Sequence, residues 1–440
     1  MAQDAQGHEL TGASPAAAAK FDEAVRAYTL NYGDTNAILA AVESDSPDCA
    51  MVGVLRGWLL AVSNDPAFVG RAREHLAGLD GSRMNAREQA LLEAARHTAA
   101  GRWQSATAIL DRHLMDFPND LVALQSALRI DNFQGRFHQA AARGARALPF
   151  WSDNQPGYGI MLSFYGFGLE EAGEYAQAED MLRAAAELEP YGYWPHHGMS
   201  HVLEMTGRPN AGIEWMESRE KFWDTAENAN RVHIWWHKSL YHVELGQYDV
   251  ALGILDNQVA EYVRPVGTSM CNPTALLWRL ETLGCEAGDR WQKLFPLWQD
   301  KANGRTSPFN DVHYAMTALR AGERAAYDSH LAEMRKTAAN GSDLAPAYAT
   351  LAVPVAEAMA DFTDGKYADA AEQLLRVRAD LARLGGSIAQ RDLVDWTLTV
   401  AASRARLPGM ARSMANERLA ARPDSAVNRH FLEDAQAIAV

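Results

Sequence analysis

Apolar and polar residues follow a helical period along most of the 440-residue chain. Ala, Leu, Glu, Arg, Met and Gln dominate it, and the alternating runs of β-branched residues that mark strands are scarce. The first helix has a defined start, because Ser14 suits a cap position and Pro15 suits the first turn. The pattern therefore predicts an all-α protein.

One short phrase recurs along the chain: a glycine, an aromatic residue two positions later, and an alanine three positions after that. The phrase is clearest at Gly101, Gly135, Gly173, Gly246 and Gly365, and looser at Gly207, Gly288 and Gly322. Successive glycines are 34 to 43 residues apart, and two copies reach a proline 17 residues after the glycine, at Pro118 and Pro190. Glycine allows a tight turn, alanine lets the second helix approach closely, and proline ends it, so the phrase predicts pairs of helices.

A period near 34 with these residues in this order resembles the tetratricopeptide repeat (TPR). One helix pair cannot bury its own apolar face, so neighbouring pairs must stack. The resemblance implies a TPR-like right-handed α-α solenoid of about eight or more helix pairs with divergent helical caps. Because no Gly/Ser linker interrupts the chain, we expect one domain over 1–440. Its predicted parts are a tail at 1–20, an N-terminal cap at 21–95, the repeat array at 96–380 and a C-terminal cap at 381–440.

Several longer phrases are more specific than the generic repeat. They are Pro149-Phe150-Trp151, Phe222-Trp223, Arg290-Trp291-Gln292, Phe309-Asn310-Asp311-x-His313 and Gly385-Gly386-Ser387-x-Ala389-Gln390-Arg391-Asp392. Together they resemble the tetratricopeptide repeat protein 38 family from about residue 20 to the end. The resemblance implies a repeat solenoid and brings no catalytic assignment, so function has to be argued from the site.

Charge and cysteine content narrow the possible partners and compartment. The chain has 41 Lys and Arg against 56 Asp and Glu, a net charge of −15, which argues against nucleic-acid binding and against docking on an anionic membrane. The N-terminal residues lack the basic and apolar regions of a secretory signal. Three cysteines do not build a disulfide framework, so we predict a cytoplasmic protein. Cys271 or Cys285 could serve as a nucleophile, but buried inert thiols are the simpler interpretation.

The histidines are concentrated in one segment. Six of the 14 fall within about a tenth of the chain, namely His196, His197, His201, His233, His237 and His242. Two pairs have the i, i+4 spacing that places both side chains on one helical face, and Glu204 extends the first of these faces. With Gly207 as position fifteen of its repeat, His197, His201 and Glu204 take positions five, nine and twelve. In the repeat that the chain resembles, these positions face the concave groove.

This spacing supports the hypothesis of a metal site. Imidazole nitrogens with a carboxylate suit zinc, iron, manganese or nickel, and we predict His197, His201, His233 and His237 as ligands. Glu204 and His313 are the candidate catalytic acid and base. A variant without metal uses the same groups on a small molecule, for which Trp194, Trp236, Asp311 and Arg391 are the candidate binding residues. Glu244 or Asp311 could also orient a metal-ligating side chain without binding the metal itself.

Structural explanations stay open for each of these residues. Histidines between helices often make ordinary hydrogen bonds, the stronger HExxH pattern is absent, and paired tryptophans are frequently core residues. Arg391 could bind a carboxylate or phosphate, but its neighbourhood also reads as a helix capped by Ser387 with a local ion pair involving Asp392. Asn310 similarly suits the cap of the helix that carries Asp311 and His313.

Three kinds of function are compatible with the sequence. The solenoid can enclose a pocket that binds a transition metal or small molecule and acts as a metal-dependent enzyme, or the same pocket can sense a ligand without turnover. Alternatively, the concave groove can hold a peptide or partner protein as a scaffold. Histidine, tryptophan and carboxylate on the predicted groove face favour the pocket. The sequence leaves open whether the chain catalyses a reaction and whether it forms a homo-oligomer.

Overall fold

The computed structural model describes residues 2–438, and nearly every element in them is a helix. The strands among these residues are β1 (Ala2–Gln3) and β2 (Glu9–Leu10), which pair antiparallel with Ala2 opposite Leu10. The prediction of an all-α, TPR-like fold is confirmed. None of the described helices combines the length and apolar character that a bilayer crossing requires.

The chain divides into two compact units. The first unit contains the chain up to Asn132, Arg136–Met199 and Glu220–Arg231, and the second contains Phe133–Gly135, Ser200–Arg219 and the chain from Val232 onward. The divisions fall inside helices, so some helices contribute to both units. The predicted boundaries at residues 20, 95 and 380 stay predictions.

Helices of the first unit pack as consecutive antiparallel neighbours. Contacts join α1 with α2, α3 with α4, α5 with α6, α8 with α9 and α9 with α10. The bounds are α1 Pro15–Leu30, α2 Thr35–Asp45, α3 Ala50–Ala61, α4 Pro66–Ala77, α5 Ala86–Ala99, α6 Trp103–Asp116, α7 Leu121–Gln134, α8 Phe137–Ala147, α9 Tyr158–Glu171 and α10 Tyr175–Leu188.

Besides α7, whose last two residues fall in the second unit, three helices cross the division, and the remainder belong to the second unit. The crossing helices are α11 Tyr193–Met205, α12 Pro209–Trp223 and α13 Arg231–Glu244. The second unit continues with α14 Tyr248–Ile254, α15 Ala260–Tyr262, α16 Gly267–Thr282, α17 Arg290–Leu294, α18 Pro308–Ala321, α19 Arg324–Ala338, α20 Ala345–Ala347, α21 Val353–Thr363, α22 Tyr367–Val377, α23 Ile388–Arg404, α24 Pro408–Ala421 and α25 Ala426–Ile438.

The recurring sequence phrase forms the turn of each helix pair as predicted. All eight of its glycines have φ between 58° and 89°, the left-handed region that glycine adopts without strain. In the five clear copies the aromatic residue is the first residue of the second helix. The alanine three positions later is buried in each copy, at Ala106, Ala140, Ala178, Ala251 and Ala370. Helix pairing therefore follows directly from this local pattern.

The predicted helix ends are also confirmed at three places. The Ser14 side chain accepts a hydrogen bond of 3.0 Å from the amide of Ala17, with Pro15 in the first turn. The C-terminal ends of α6 and α10 lie two residues before Pro118 and Pro190. Fixed φ and the missing N–H prevent either helix from continuing through proline.

Two of the longer repeat spacings contain π-helical turns. Leu255–Val259 joins α14 to α15, and Tyr348–Ala352 joins α20 to α21. A π turn accommodates an extra residue within a continuous helix. These turns lie in the repeats whose glycines are separated by 42 and 43 residues, so part of the added length is absorbed inside helices.

Two predicted caps have different outcomes. Ser387 caps α23 as expected, in a reciprocal capping box with Gln390. The cap predicted at Asn310 is wrong, because Ser307 caps α18 and accepts from the Asn310 amide at 3.3 Å. A serine directly before Pro308 is the stronger start signal, since proline is favoured at the first position of a helix.

Candidate metal centre

Three histidines meet in the second unit. His201 lies on α11, while His233 and His237 lie four residues apart on α13 and therefore share a face. The ring centroids of His201 and His237 are 4.5 Å apart, and those of His233 and His237 are 4.7 Å apart. Each ring offers a nitrogen within 4.8 Å of a nitrogen on both others. We call these three residues the histidine cluster.

His233 is oriented by a residue that the sequence argument missed. Its Nδ1–H donates to Oδ1 of Asn272, on α16, over 2.6 Å. An amide oxygen only accepts, so the proton must be on Nδ1, and Nε2 carries the lone pair that a ligand would use. Burial lowers the pKa of His233 to about 3, which keeps the imidazole neutral at physiological pH.

His237 is oriented by Glu204. Nδ1 of His237 lies 3.0 Å from Oε2 of Glu204, and both side chains are buried. Burial raises the pKa of Glu204 to about 7, against the opposing attraction of the Arg422 guanidinium. A carboxylate behind a histidine is the arrangement that fixes the ring orientation of a metal ligand. The structure thus places Glu204 against a cluster histidine from behind.

Aromatic packing holds α13 in place around the cluster. The Trp236 ring is fully buried and stacks on His233, with centroids 5.1 Å apart and planes 12° apart. It also meets the edge of His237 at 4.7 Å. The hydroxyl of Tyr241 donates to the carbonyl of Ser200 over 2.7 Å, which ties α13 to α11. The structure places Trp236 as a rigid wall of the cluster.

His197 and Trp194 belong to the part of α11 in the first unit. His197 precedes His201 by one helical turn, and its ring stacks on Tyr193 at 4.8 Å and 15°. Trp194 is buried and packs against Phe167, with centroids 5.1 Å apart. Within the first unit these residues form an aromatic layer, and the roles of His197 as a ligand and Trp194 as a binding residue stay predictions.

Asp311 and His313 lie on α18 with structural partners. Oδ1 of Asp311 accepts from the amides of Asn303 and Gly304 at 3.1 and 3.0 Å, and Oδ2 accepts from the hydroxyl of Tyr348. Asp311 therefore anchors the segment before α18. His313 is buried, and its Nδ1 lies 2.9 Å from the carbonyl of Phe309. Burial lowers the pKa of His313 to about 4, so the ring is neutral near pH 7.

Arg391 bonds to its own turn, and its neighbour Asp392 is the centre of an ion-pair network. Nη1 of Arg391 donates to the carbonyl of Gly386. Asp392 accepts from Arg418 at 2.7 and 3.1 Å and from Arg422 at 3.2 Å, with Arg279 at 4.0 Å. Burial would raise the pKa of Asp392, but these guanidiniums outweigh it and hold the pKa below its ordinary value. The predicted ion pair at Asp392 thus comes from distant residues.

A small cavity of about 10 Å³ lies beside the cluster's carboxylate. Glu204, Tyr241, Glu244 and Arg422 line it, and Arg422 pairs with Glu244 at 3.1 Å across one edge. Within residues 2–438, Nε of Arg422 and Oε2 of Glu244 are buried without a hydrogen-bond partner. The volume and the two polar atoms suit a single water molecule.

Sequence spacing could not identify the residues behind the cluster. Asn272, Arg279 and Arg422 lie far along the chain from the histidines and belong to no motif. The one local signal is Pro273, which follows Asn272 inside α16 and disturbs that helix. In the first unit, two buried carboxylates at the end of α9, Glu170 and Glu171, were also missed.

Chemically, the cluster offers imidazole ligands with oriented rings, the donor type that zinc, iron, copper and nickel accept.

The helix pairs and their glycine turns define a TPR-like helical-repeat protein. No protein-family model matches the chain, so the resemblance to the tetratricopeptide repeat protein 38 family stays a prediction. One similar solved structure is the APC/C hetero-tetramer Cut9–Hcn1, with 13% identity, 97% of this chain and 77% of that chain covered, and a TM-score of 0.45.

Another similar structure is the human IFIT1 dimer with m7Gppp-AAAA, with 12% identity, 96% of this chain and 95% of that chain covered, and a TM-score of 0.43. The m7Gppp-AAAA ligand belongs to IFIT1. Likenesses of this size leave the partners of the present chain open, so the absence of nucleic-acid and membrane binding and the cytoplasmic location stay predictions.

Proposed function

We propose that this helical-repeat protein binds a divalent transition metal at the histidine cluster. The observation that supports it is the meeting of His201, His233 and His237, with ligand nitrogens within 4.8 Å of one another. Hydrogen bonds to Asn272 and Glu204 give two of the rings a fixed orientation. His197 stays the predicted fourth ligand. Zinc, iron, manganese and nickel are the candidate ions, with imidazole favouring zinc, iron and nickel.

Bound metal would give the histidine cluster a chemical use. An ion held by the three imidazoles of the cluster, without His197, keeps a coordination position for water or a small molecule, which is how catalytic sites differ from closed structural ones. Glu204 would then hold the His237 ring, and any proton-transfer role of Glu204 or His313 depends on the substrate. Enzymatic activity follows only if such a substrate exists.

Elemental analysis tests the metal proposal. Protein purified without a nickel column is expected to contain close to one equivalent of transition metal, and the His201→Ala/His237→Ala variant is expected to lose it. His242→Ala is the matched control, because His242 is on the same helix and bonds to Gln247 at 2.7 Å, away from the cluster. Metal-free wild-type protein that also fails to take up added Zn²⁺ would refute the proposal.

A second candidate function is a protein-interaction scaffold, favoured by an open groove in the second unit. The groove has a volume of about 740 Å³, and α19, α21 and α22 line it with five carboxylates and three arginines. Arg335 is already paired with Glu357 at 2.6 Å, and Arg324 with Asp364 at 3.0 Å. The remaining charge is acidic, which suits a partner segment rich in Lys and Arg.

Charge reversal tests the scaffold function. Asp369 and Glu372 are exposed in the groove, so Asp369→Lys/Glu372→Lys is expected to abolish binding of a basic partner. Glu433→Lys, at an exposed position on α25, is the control for added positive charge. The partner is identified by affinity purification and then reconstituted from purified proteins. Equal binding by the wild type and the groove variant would exclude this groove as the interface.

A further inference from the structure

A proline inside α16 changes the hydrogen bonding next to the histidine cluster. Pro273 has no N–H, so the carbonyl of Ser269, four residues earlier, lacks its usual helical donor. The Nδ2 amide group of Asn272 donates to this carbonyl over 2.7 Å. A buried carbonyl without a donor costs free energy, and the Asn272 side chain relieves that cost.

This bond fixes which way the Asn272 amide faces. Because Nδ2 is engaged with Ser269, and at 3.4 Å with Thr268, Oδ1 must point the other way. There it lies 2.6 Å from Nδ1 of His233. A flipped amide would set two oxygens against each other at Ser269, so the contact with that carbonyl fixes the orientation independently of the His233 tautomer.

We infer that Asn272 is a positioning residue for the metal centre, and that Pro273 fixes the orientation of the Asn272 side chain. Asn272 holds His233 in the Nδ1–H tautomer, which leaves the Nε2 lone pair for an ion. This inference rests on the proposed metal binding for its purpose, but the tautomer itself is a property of the metal-free protein. Partners of this kind behind a ligand typically change metal affinity 10- to 100-fold.

The first test measures the tautomer without metal. Nitrogen-15 NMR of metal-free protein with labelled histidine is expected to show His233 protonated on Nδ1, with the signal assigned from His233→Gln. Asn272→Ala is expected to shift the ring toward the Nε2–H form. Pro273→Ala, which returns a backbone donor to Ser269, is expected to reduce the Nδ1–H fraction. An Nε2–H ring in the wild type, or no change in Asn272→Ala, would overturn the inference.

The second test measures affinity for Zn²⁺ alone by competition with a chromophoric chelator. Asn272→Ala is expected to bind Zn²⁺ 10- to 100-fold more weakly than the wild type. Thr274→Val is the control, because Thr274 is buried on the same helix and loses bonds of 2.9 Å to Thr317 and 3.2 Å to Trp298, neither of which involves His233. It is expected to lose thermal stability while keeping its affinity for Zn²⁺.

The two tests separate the inference from the proposed function. If wild-type protein binds no Zn²⁺ but shows the Nδ1–H tautomer and its loss in Asn272→Ala, metal binding is refuted and the lock on His233 stands. If Zn²⁺ binds and Asn272→Ala has unchanged affinity, or a loss that Thr274→Val shares, Asn272 is not a positioning residue.

Discussion

Asp392 on α23 and Arg418 on α24 form a two-bond ion pair, with distances of 2.7 and 3.1 Å between carboxylate and guanidinium. Arg418 is almost completely buried, and Arg422 also bonds to the same carboxylate. Removing one partner of such a pair leaves buried charge uncompensated. The packing of α23 against α24 therefore depends on the Asp392 carboxylate.

Asp392→Asn is therefore expected to destabilise the protein by about 3 kcal/mol, since it leaves several guanidiniums without their shared anion. Denaturant unfolding measures the change. Asp395→Asn on the same helix is the comparison, because Asp395 and Arg378 are both partly exposed and their pair contributes at most about 1 kcal/mol. Equal losses for the two variants would contradict the central role of Asp392.

Burial of His313 predicts a pH dependence of stability. Its pKa falls from an ordinary value of 6.5 to about 4 in the folded protein, so folding favours the neutral ring. The stabilisation is fully present above pH 6.5 and is lost as the pH falls through 4, with a total of about 3 kcal/mol. Unfolding free energies of the wild type and His313→Asn, measured from pH 7 to 4, should converge toward acid. A constant difference would show that His313 does not titrate this way.

Metal binding predicts thermal stabilisation that depends on the cluster. With Zn²⁺ at 100 times its Kd, folded protein gains about 2.7 kcal/mol, because the ion binds the assembled site. Calorimetry should show a higher Tm with Zn²⁺, a return to the metal-free Tm after chelation, and no shift for His201→Ala/His237→Ala. A similar shift in that variant would place the ion elsewhere.

The cavity beside Glu204 is expected to contain one ordered water. Its volume of about 10 Å³ admits a single molecule, which would accept from Nε of Arg422 and donate to Oε2 of Glu244. A high-resolution crystal structure should show density within hydrogen-bond distance of both atoms. An empty cavity, with both groups still unsatisfied, would contradict this prediction.

Local sequence patterns predicted the helix pairs because the determinants are close together in the chain. The glycine, the aromatic residue and the alanine of each phrase span six residues, and their conformational and steric preferences act within one turn. Asn310 shows the limit of such reasoning, because Ser307, three residues earlier and directly before Pro308, caps the helix instead. The i, i+4 histidine spacing likewise predicted a shared face on α13.

The partners of those histidines could be found only in three dimensions. Asn272 meets His233 across 39 residues, and Glu204 meets His237 across 33, so no spacing rule links them. The same holds for Asp392, whose guanidinium partners come from two other parts of the chain, α16 and the end of α24. Pro273 alone gave a local hint, because a proline inside a helix frees a carbonyl that some side chain must satisfy.

The sequence by itself determined the helices, their turns and the histidine-rich face, since backbone preferences and helical periodicity are local properties. Only the tertiary structure decided which ring nitrogens converge, which tautomer His233 adopts and which carboxylate stands behind His237. Those outcomes depend on burial and on hydrogen bonds between helices that are distant in sequence. A buried polar group without a hydrogen bond costs free energy, so each group bonds to the partner that helix packing places beside it.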